Sequence, residues 1–136
     1  MAAPAPPSRT ATARNVLHCV GRSDPQAMLA HLSPDVRYVV PGHSDLAGEL
    51  RGPEEVAEHL LRLFQRTFGT LEALKWDDVM EGETHVTALI TVHAQRPGHS
   101  YTGHLLYLLA FDPDDRVQEI RVFTTDQRAL DRFLTS

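Results

Sequence analysis

The segment that decides the fold runs from Val39 to Val56 and reads VVPGHSDLAGELRGPEEV. It starts as an apolar run, breaks at Pro41, and continues through a polar stretch with three glycines before a helical pattern begins at Pro53. Proline cannot donate a ladder hydrogen bond and so ends a strand, whereas it suits the first turn of a helix. The segment therefore predicts a strand, a glycine-rich loop and a helix, in that order.

The flanking sequence predicts helices before this segment and mainly strands after it. Two short helices are expected between Ala13 and Leu32, the second with Asp24 as its N-cap. The first strand is DVRYVV, and four strand patterns follow the central helix, in TLEALKWDDVM, THVTALITVHAQR, SYTGHLLYLLAF and RVQEIRVF. A last short helix is expected in DQRALDRFL. This order predicts an α+β domain in which a curved antiparallel or mixed sheet wraps around helices as a cone, with an apolar pocket inside.

Composition limits the classes of partner. The chain has 136 residues, 42% of them hydrophobic, and a formal net charge of -5. That length suits one domain, and the negative charge without a basic cluster argues against binding nucleic acid. We expect a disordered Ala/Pro-rich tail at residues 1–12 and a single domain at 13–136. The single cysteine, Cys19, and the lack of an apolar run long enough to span a bilayer predict a cytoplasmic protein that does not bind membranes.

Strand parity groups the side chains that could line the interior. Residues two apart along a strand point to the same face of the sheet. Three sets each share one strand face: Tyr38 with Val40, Leu105 with Tyr107 and Leu109, and Arg121 with Phe123. Parity leaves open which face of each strand is concave.

Two motifs carry a resemblance to a known family. The loop reads P-G-x-x-x-L-x-G-x-x-R-G, and the last strand leads into D-x-x-x-L-D-x-F. From about Ala13 to its end, the sequence resembles the SnoaL-like branch of the nuclear transport factor 2-like superfamily. The resemblance implies a cone-shaped α+β barrel with an apolar pocket, commonly a homodimer through the open sheet face, that works without metal or organic cofactor. Relatives include polyketide cyclases, ketosteroid isomerase and limonene epoxide hydrolase.

The same resemblance implies a set of catalytic candidates. Asp126 matches the aspartate that polyketide cyclases of this type use as acid and base close after the last strand; its structural alternative is to cap the final helix. The base of ketosteroid isomerase matches Val40, and its proton-donating aspartate matches Tyr107, which could still donate a hydrogen bond to a carbonyl. If Arg121 faces the cone, it could hold an enolate or a carboxylate, or pair with an acid.

Further candidates come from the loop and the strands. His43 and Asp45 form an H-x-D pair, in which a carboxylate could orient an imidazole, although loop polarity also explains them. Tyr38 is a candidate for lining the pocket, and Trp76 for ligand stacking, for the core or for a dimer contact. His93, His99 and His104 are close in sequence, yet their spacing does not match a zinc motif, so we expect no metal.

The leading hypothesis is a cofactor-independent enzyme that cyclises or isomerises a largely apolar, carbonyl-bearing metabolite of polyketide type. In this hypothesis Asp126 moves the proton, and Tyr107, Arg121 or His43 stabilises the oxyanion. The substrate would contact Tyr38, Val40, Asp45, Leu105, Leu109, Phe123 and Trp76. One alternative is a non-catalytic ligand-binding or dimerisation module with the same fold, and a second is an epoxide hydrolase.

Overall fold

The computed structural model of the chain describes residues 8–22 and 25–135. In chain order its elements are α1 (Arg9–His18), α2 (Pro25–Leu29), β1 (Leu32–Val40), β2 (Gly48–Arg51), α3 (Gly52–Arg66), β3 (Glu72–Glu81), β4 (His85–Arg96), β5 (His99–Phe111), β6 (Val117–Thr124) and α4 (Gln127–Thr135). The predicted α+β class is confirmed. Four helices and six strands make up the described part of the chain.

The six strands form one mixed sheet in the order β2-β1-β6-β5-β4-β3. Strands β3 to β6 pair as antiparallel neighbours along the chain, as the sequence predicts. Strand β1 lies parallel to β6, the last strand in sequence. This parallel pairing brings the segment around Val40 next to the end of the domain, where α4 begins.

The segment from Val39 to Val56 contains a strand that its sequence does not predict. Strand β2 pairs antiparallel with β1, with Leu50 opposite Tyr38 and Glu49 opposite Val39. The carboxylate of Glu49 forms ion pairs with Arg37 on β1 and with Arg51. Strand β2 has only four residues and no apolar alternation. Its conformation therefore depends on pairing with β1 and not on a local sequence pattern. The helix that follows has its proline in the first turn, as predicted.

Gly42 lets the loop after β1 pack directly against α4. Its φ of +103° lies in the region that favours glycine, and an added Cβ would collide with the side chains of Gln127 and Asp131 on α4. The next residue, His43, donates its backbone N–H to the Asp131 carboxylate at 3.3 Å. The loop therefore contacts α4 closely, because no side chain stands between them.

The first helix begins earlier than the sequence indicates. Helix α1 starts at Arg9 rather than near Ala13, because the Ser8 hydroxyl accepts a hydrogen bond from the backbone N–H of Ala11 and caps the helix. Arg9 also forms an ion pair with Asp115 at 2.8 Å. Residues 9–12 of the expected tail are thus helical, while residues 1–7 and the expected N-cap Asp24 lie outside the described residues.

The core lies between one face of the sheet and the helices. Valines and leucines from α1, α3 and every long strand except β3 are fully buried, among them Val16, Val36, Leu60, Val86 and Leu109. The helix α3 contributes a single buried face, as its apolar spacing predicts. Within the described residues, no helix is both long and apolar enough to cross a membrane.

Candidate functional site

A cavity of about 60 Å³ lies between the inner face of the sheet and helices α3 and α4. That volume has room for a few water molecules or a small apolar group, since one water needs about 10–15 Å³ on this kind of measure. Most of the lining side chains are apolar. They are Val40, Pro41, Leu46, Leu63, Leu71, Val92, Ala94, Leu105, Val122, Leu130, Phe133 and Leu134.

All three tyrosines of the chain line this cavity. Tyr38 and Tyr107 are 2% and 5% exposed. Burial raises the pKa of Tyr38 well above its ordinary value, and it raises the pKa of Tyr107 to about 12, although a hydrogen bond from Tyr38 partly offsets that rise. Both hydroxyls therefore stay protonated at every physiological pH and can donate hydrogen bonds.

Tyr101 lies closer to the last helix. Its hydroxyl is 3.0 Å from Oγ1 of Thr124, and the centroid of its ring is 6.0 Å from that of Phe133 on α4. Tyr101 thus connects β5 to the end of β6 and to the wall that α4 provides. The Tyr101 hydroxyl therefore already has a hydrogen-bond partner in the protein.

His59 is the polar group that α3 adds to the cavity. It is 4% exposed, and the centroid of its ring is 5.3 Å from that of Tyr38. Burial, with a smaller contribution from the nearby Arg62 charge, lowers the pKa of His59 to about 4. Among the described residues, neither ring nitrogen has a hydrogen-bond partner. At neutral pH the imidazole is therefore uncharged, with one donor and one acceptor.

The lining of the cavity is uncharged at neutral pH. No Asp, Glu, Lys or Arg is among the residues that line it. The hydroxyl of Thr67, the remaining polar group, already donates to the backbone carbonyl of Leu63 at 2.9 Å. No cluster of three or more His, Cys, Asp or Glu side chains that could hold a metal ion occurs among the residues described. The cavity can offer hydrogen bonds but no countercharge.

Five of the residues singled out in the sequence lie at this cavity or beside it. Tyr38, Val40, Leu105 and Tyr107 line it directly. Trp76 instead lines a second, smaller cavity of about 30 Å³ between α1, the start of β3 and the sheet. Leu109 shares the inner face but is wholly buried in the core and is not among the lining residues.

Asp126 does not reach the cavity. Its side chain is exposed, and Oδ1 accepts a hydrogen bond of 3.0 Å from the backbone N–H of Ala129 in the first turn of α4. This is the geometry of an N-cap, in which the carboxylate also interacts favourably with the positive end of the helix. Asp126 therefore caps the final helix, which was the alternative to a catalytic role.

Arg121 and Phe123 lie on the opposite face of the sheet, so the expectation that Arg121 faces the interior is wrong. Their neighbours Ile120 and Val122 point inward and are buried, which forces the alternate residues outward. Arg121 forms an ion pair with Glu119 on its own strand. Phe123 is 46% exposed, so it cannot contact a ligand in the cavity.

His43 and Asp45 are exposed and do not interact with each other. The carboxylate of Asp45 accepts hydrogen bonds of 2.8 Å from Arg66, and a weaker contact from Arg62 at 3.4 Å. The hydrogen bond with Arg66 lowers the pKa of Asp45. Asp45 therefore holds the loop against α3 rather than orienting the imidazole of His43.

Two cavity residues, His59 and Tyr101, carry signals that the sequence reading missed. His59 falls on the apolar stripe of α3, three residues after Val56 and four before Leu63, so its spacing already placed it inward. Tyr101 has the same parity as Leu105 and Tyr107 on β5. Helical spacing and strand parity, applied to polar residues as well as apolar ones, would have found both.

The family of the chain follows from comparison with known proteins. The model of the SnoaL-like domain matches residues 13–130. The chain therefore belongs to the SnoaL-like domain family, with the nuclear transport factor 2-like, or cystatin-like, fold. No functionally curated protein matches the chain in sequence.

Several solved structures share this fold. A protein of unknown function from Xanthomonas campestris is 24% identical over 94% of this chain and 98% of its own, with a TM-score of 0.85. Bal32a, from a soil-derived mobile gene cassette, is 23% identical over 93% and 96% of the two chains, with a TM-score of 0.83. TerC, co-crystallised with polyporic acid, is 18% identical over 95% and 100%, with a TM-score of 0.76. Identities this low show a shared fold and nothing finer.

Burial of neutral His59 makes stability depend on pH. Its pKa of about 4 lies below its ordinary value of 6.5, so the unfolded chain binds the proton first as the pH falls. The stabilisation is thus complete above the unfolded value and is lost as the pH falls towards the folded one. We expect His59 to lower the free energy of unfolding by about 2 kcal/mol between about pH 7.5 and about pH 5, as measured by urea denaturation.

The variant His59→Gln should lose this part of the pH dependence, whatever its stability at neutral pH. The matched control is His99→Gln, because His99 is exposed at the first position of β5. It should keep the slope of the unsubstituted protein. An unchanged slope in His59→Gln would contradict the burial of a neutral imidazole.

The position of Asp126 predicts a stability effect. Asp126→Ala removes the acceptor for the Ala129 N–H and should lower the free energy of unfolding by about 1 kcal/mol. Asp126→Asn keeps an acceptor oxygen and should cost only a small part of that. Chemical denaturation at neutral pH measures both, and equal stability of the alanine variant and the unsubstituted protein would show that the cap is absent.

Proposed function

We propose that this protein binds an uncharged, largely apolar small molecule that carries a carbonyl or hydroxyl oxygen. The observation that supports this most directly is the composition of the cavity lining, which combines apolar walls with Tyr38, Tyr107 and His59 and has no ionised side chain. Concave apolar sites with a few converging polar groups are typical of ligand pockets. The alternative of a non-catalytic ligand-binding module therefore becomes the first choice.

The polar groups define the chemistry of the ligand. The hydroxyl of Tyr107 is a donor at neutral pH, and the imidazole of His59 offers a donor and an acceptor without a partner in the described protein. A ligand oxygen between them could accept a hydrogen bond from Tyr107 and form another with the His59 ring. Each such hydrogen bond contributes about 1 kcal/mol, and its larger effect is to reject molecules that leave these groups unpaired.

The uncharged lining of the cavity disfavours ligands that carry a charge. An ionised carboxylate or ammonium group would leave water without finding a countercharge in the lining, and that transfer is strongly unfavourable. Phosphorylated, carboxylated and aminated metabolites are thus poor ligands. TerC, a relative in fold, was co-crystallised with the organic molecule polyporic acid, which agrees with a small-molecule role for this fold.

A second candidate is an enzyme that isomerises or cyclises a ketone in the same cavity. His59 would accept a proton from the carbon next to the carbonyl, Tyr107 would donate a hydrogen bond to the resulting enolate oxygen, and His59 would return the proton to another carbon. The free ring nitrogens of His59 favour this candidate. Its pKa of about 4 makes His59 a weak base, and for that reason binding is the preferred proposal. Epoxide opening finds less support, because no carboxylate lines the cavity.

Binding can be tested with two probes of similar size. Acetone, which suits a cavity of about 60 Å³, should bind detectably by ligand-observed NMR, and acetate should bind at least about thirtyfold more weakly, because its charge would be buried without a partner. Tyr107→Phe removes one hydroxyl and should weaken the binding of acetone about fivefold. Phe123→Leu, on the outer face of the sheet, is the control and should bind as the unsubstituted protein does.

Two results would decide between the candidates. Equal binding of the ketone and the carboxylate would contradict the uncharged site. Exchange of the hydrogens next to the ketone for solvent deuterium, at a rate lost in His59→Gln, would favour the enzyme over the binding module.

The family resemblance also implies a homodimer, and we propose that it forms through the outer face of the sheet. Leu89, Leu106 and Phe123 lie side by side across β4, β5 and β6 on that face. Leu106 and Phe123 are 36% and 46% exposed in the single chain. An exposed apolar row across three strands is typical of a surface that a second copy covers.

The dimer predicts a change of mass on substitution. Leu106→Glu places a charge in the centre of the apolar row and should shift sedimentation equilibrium from dimer to monomer. Leu61→Glu, a matched change at an exposed leucine of α3, should leave the mass unchanged. A monomeric unsubstituted protein, or a dimer that persists in Leu106→Glu, would contradict this interface.

A further inference from the structure

The walls of the cavity differ in how firmly the fold holds them. The sheet wall belongs to β1, β4, β5 and β6, and each of these strands has a paired neighbour on both sides. The opposite wall consists of α3, α4 and the loop at residues 41–47, which we call the rim loop and which contributes Pro41 and Leu46. Strands paired on both sides cannot separate without breaking two ladders of hydrogen bonds, so entry into the cavity requires a movement on the helical side.

Helix α4 is held less firmly than α3. Helix α3 has 15 residues, follows β2 without a linker and packs against β1, β2 and α2. Helix α4 has nine residues and packs mainly against β5 and β6. Only two of its residues, Phe133 and Leu134, are fully buried, and both line the cavity. Elements with few buried apolar contacts open at a lower free energy than the core, so α4 is the part of this wall that moves most readily.

The rim loop and α4 are joined to each other. The Asp131 carboxylate on α4 accepts the backbone N–H of His43 at 3.3 Å, and the side chain of Gln127 donates to the same carboxylate at 3.0 Å. Gly42 packs against both of these α4 side chains, because it has no Cβ to collide with them. These contacts make the rim loop and α4 one unit, which we call the lid.

One side chain of α3 binds both parts of the lid. The guanidinium of Arg66 donates two hydrogen bonds of 2.8 Å to the carboxylate of Asp45 in the rim loop. It donates another to the backbone carbonyl of Leu134 near the end of α4. A bidentate pair of this kind is stronger than a single charged contact. The Arg66 side chain is 25% exposed, so water screens it less than it screens a fully exposed arginine.

Two other arginines each bind only one part of the lid. Arg62, one turn earlier on α3, reaches the rim loop through Asp45 at 3.4 Å. Arg96, on β4, donates to the backbone carbonyl of Phe133 on α4 at 2.7 Å. Arg62 is therefore a matched control for Arg66, since it is the same type of residue on the same helix beside the same carboxylate.

We propose that the lid is the gate of the cavity and that Arg66 is its latch. When Arg66 releases Asp45 and the Leu134 carbonyl, the lid moves away from the sheet and the cavity opens. When Arg66 binds them again, Phe133 and Leu134 close the interior. As a control on ligand entry this inference rests on the proposed binding function, whereas the motion of the lid can be measured without a ligand.

Hydrogen exchange followed by mass spectrometry tests the motion in the whole protein. Arg66→Gln should raise the exchange rates of the α4 amides about tenfold at neutral pH and leave those of the β5 amides unchanged, because the lid opens while the sheet stays folded. Asp45→Asn loosens one half of the latch and should raise the same α4 rates by a smaller factor. Arg62→Gln should change the α4 rates by less than about twofold, as expected for a long, exposed contact.

A thiol inside the cavity tests whether this motion opens it. Val122→Cys replaces a lining residue of β6 by a side chain of similar size. A small methanethiosulfonate should label this thiol about tenfold faster when Arg66→Gln is added, and no faster when Arg62→Gln is added. Cys19, buried at the end of α1 and not among the lining residues, is the internal reference. Its labelling should not change in either double variant.

The outcomes separate the latch from a general effect on stability. If the α4 and β5 amides of Arg66→Gln accelerate together, Arg66 stabilises the whole fold and the gate is wrong. Unchanged α4 rates would overturn the latch, and faster α4 exchange without faster labelling of Val122→Cys would show that the motion does not open the cavity. None of these measurements needs a ligand, so a failure of acetone to bind would contradict the binding function alone.

Discussion

The pairing of β5 with β4 on one side and β6 on the other is the constraint on which the rest of the structure depends. Side chains alternate along a strand, so this register decides at once which of them enter the core. Tyr107 lies opposite Ala88 on β4 and Val122 on β6, and Tyr101 lies opposite Ala94. Small neighbours on β4 leave the space that the tyrosine rings and the cavity occupy. A slip of one residue would turn Leu106 inward and place the hydroxyls outside.

The charges of the domain are kept at the rim of this interior. Arg66 bonds to Asp45 and to the carbonyl of Leu134, and Arg96 donates to the carbonyl of Phe133 at 2.7 Å. Cations at the last carbonyls of α4 suit the negative end of that helix. The ion pairs thus hold the loop, α3 and α4 together around the cavity, while the inner surface stays uncharged. Hydrogen bonds inside are strong for this reason, because little water competes for them.

The sequence predicted the parts of the fold that periodicity controls. The long strands and α3 were found because their apolar residues alternate, run together or recur at helical spacing between turn residues. The four-residue β2 was missed, since its conformation depends on pairing with β1. Parity predicted which side chains share a strand face, so Tyr38 and Tyr107 were candidates, but it could not say which face of a strand is concave. Asp126 was a candidate through the family resemblance, and Arg121 only if its strand face pointed inward; Asp126 caps α4 and Arg121 lies on the outer face.

The burial that forms the cavity also limits the chemistry that we propose for it. By the resemblance, Val40 stands where ketosteroid isomerase has its catalytic base. No carboxylate lines the cavity in its place. Proton transfer would then depend on His59, whose imidazolium form is disfavoured by the desolvation that lowers its pKa to about 4. A neutral imidazole and two protonated tyrosines can instead hold an oxygen atom without any change of charge. In an interior without countercharges, catalysis by charge separation would be the harder chemistry, and for that reason we propose recognition of a neutral ligand.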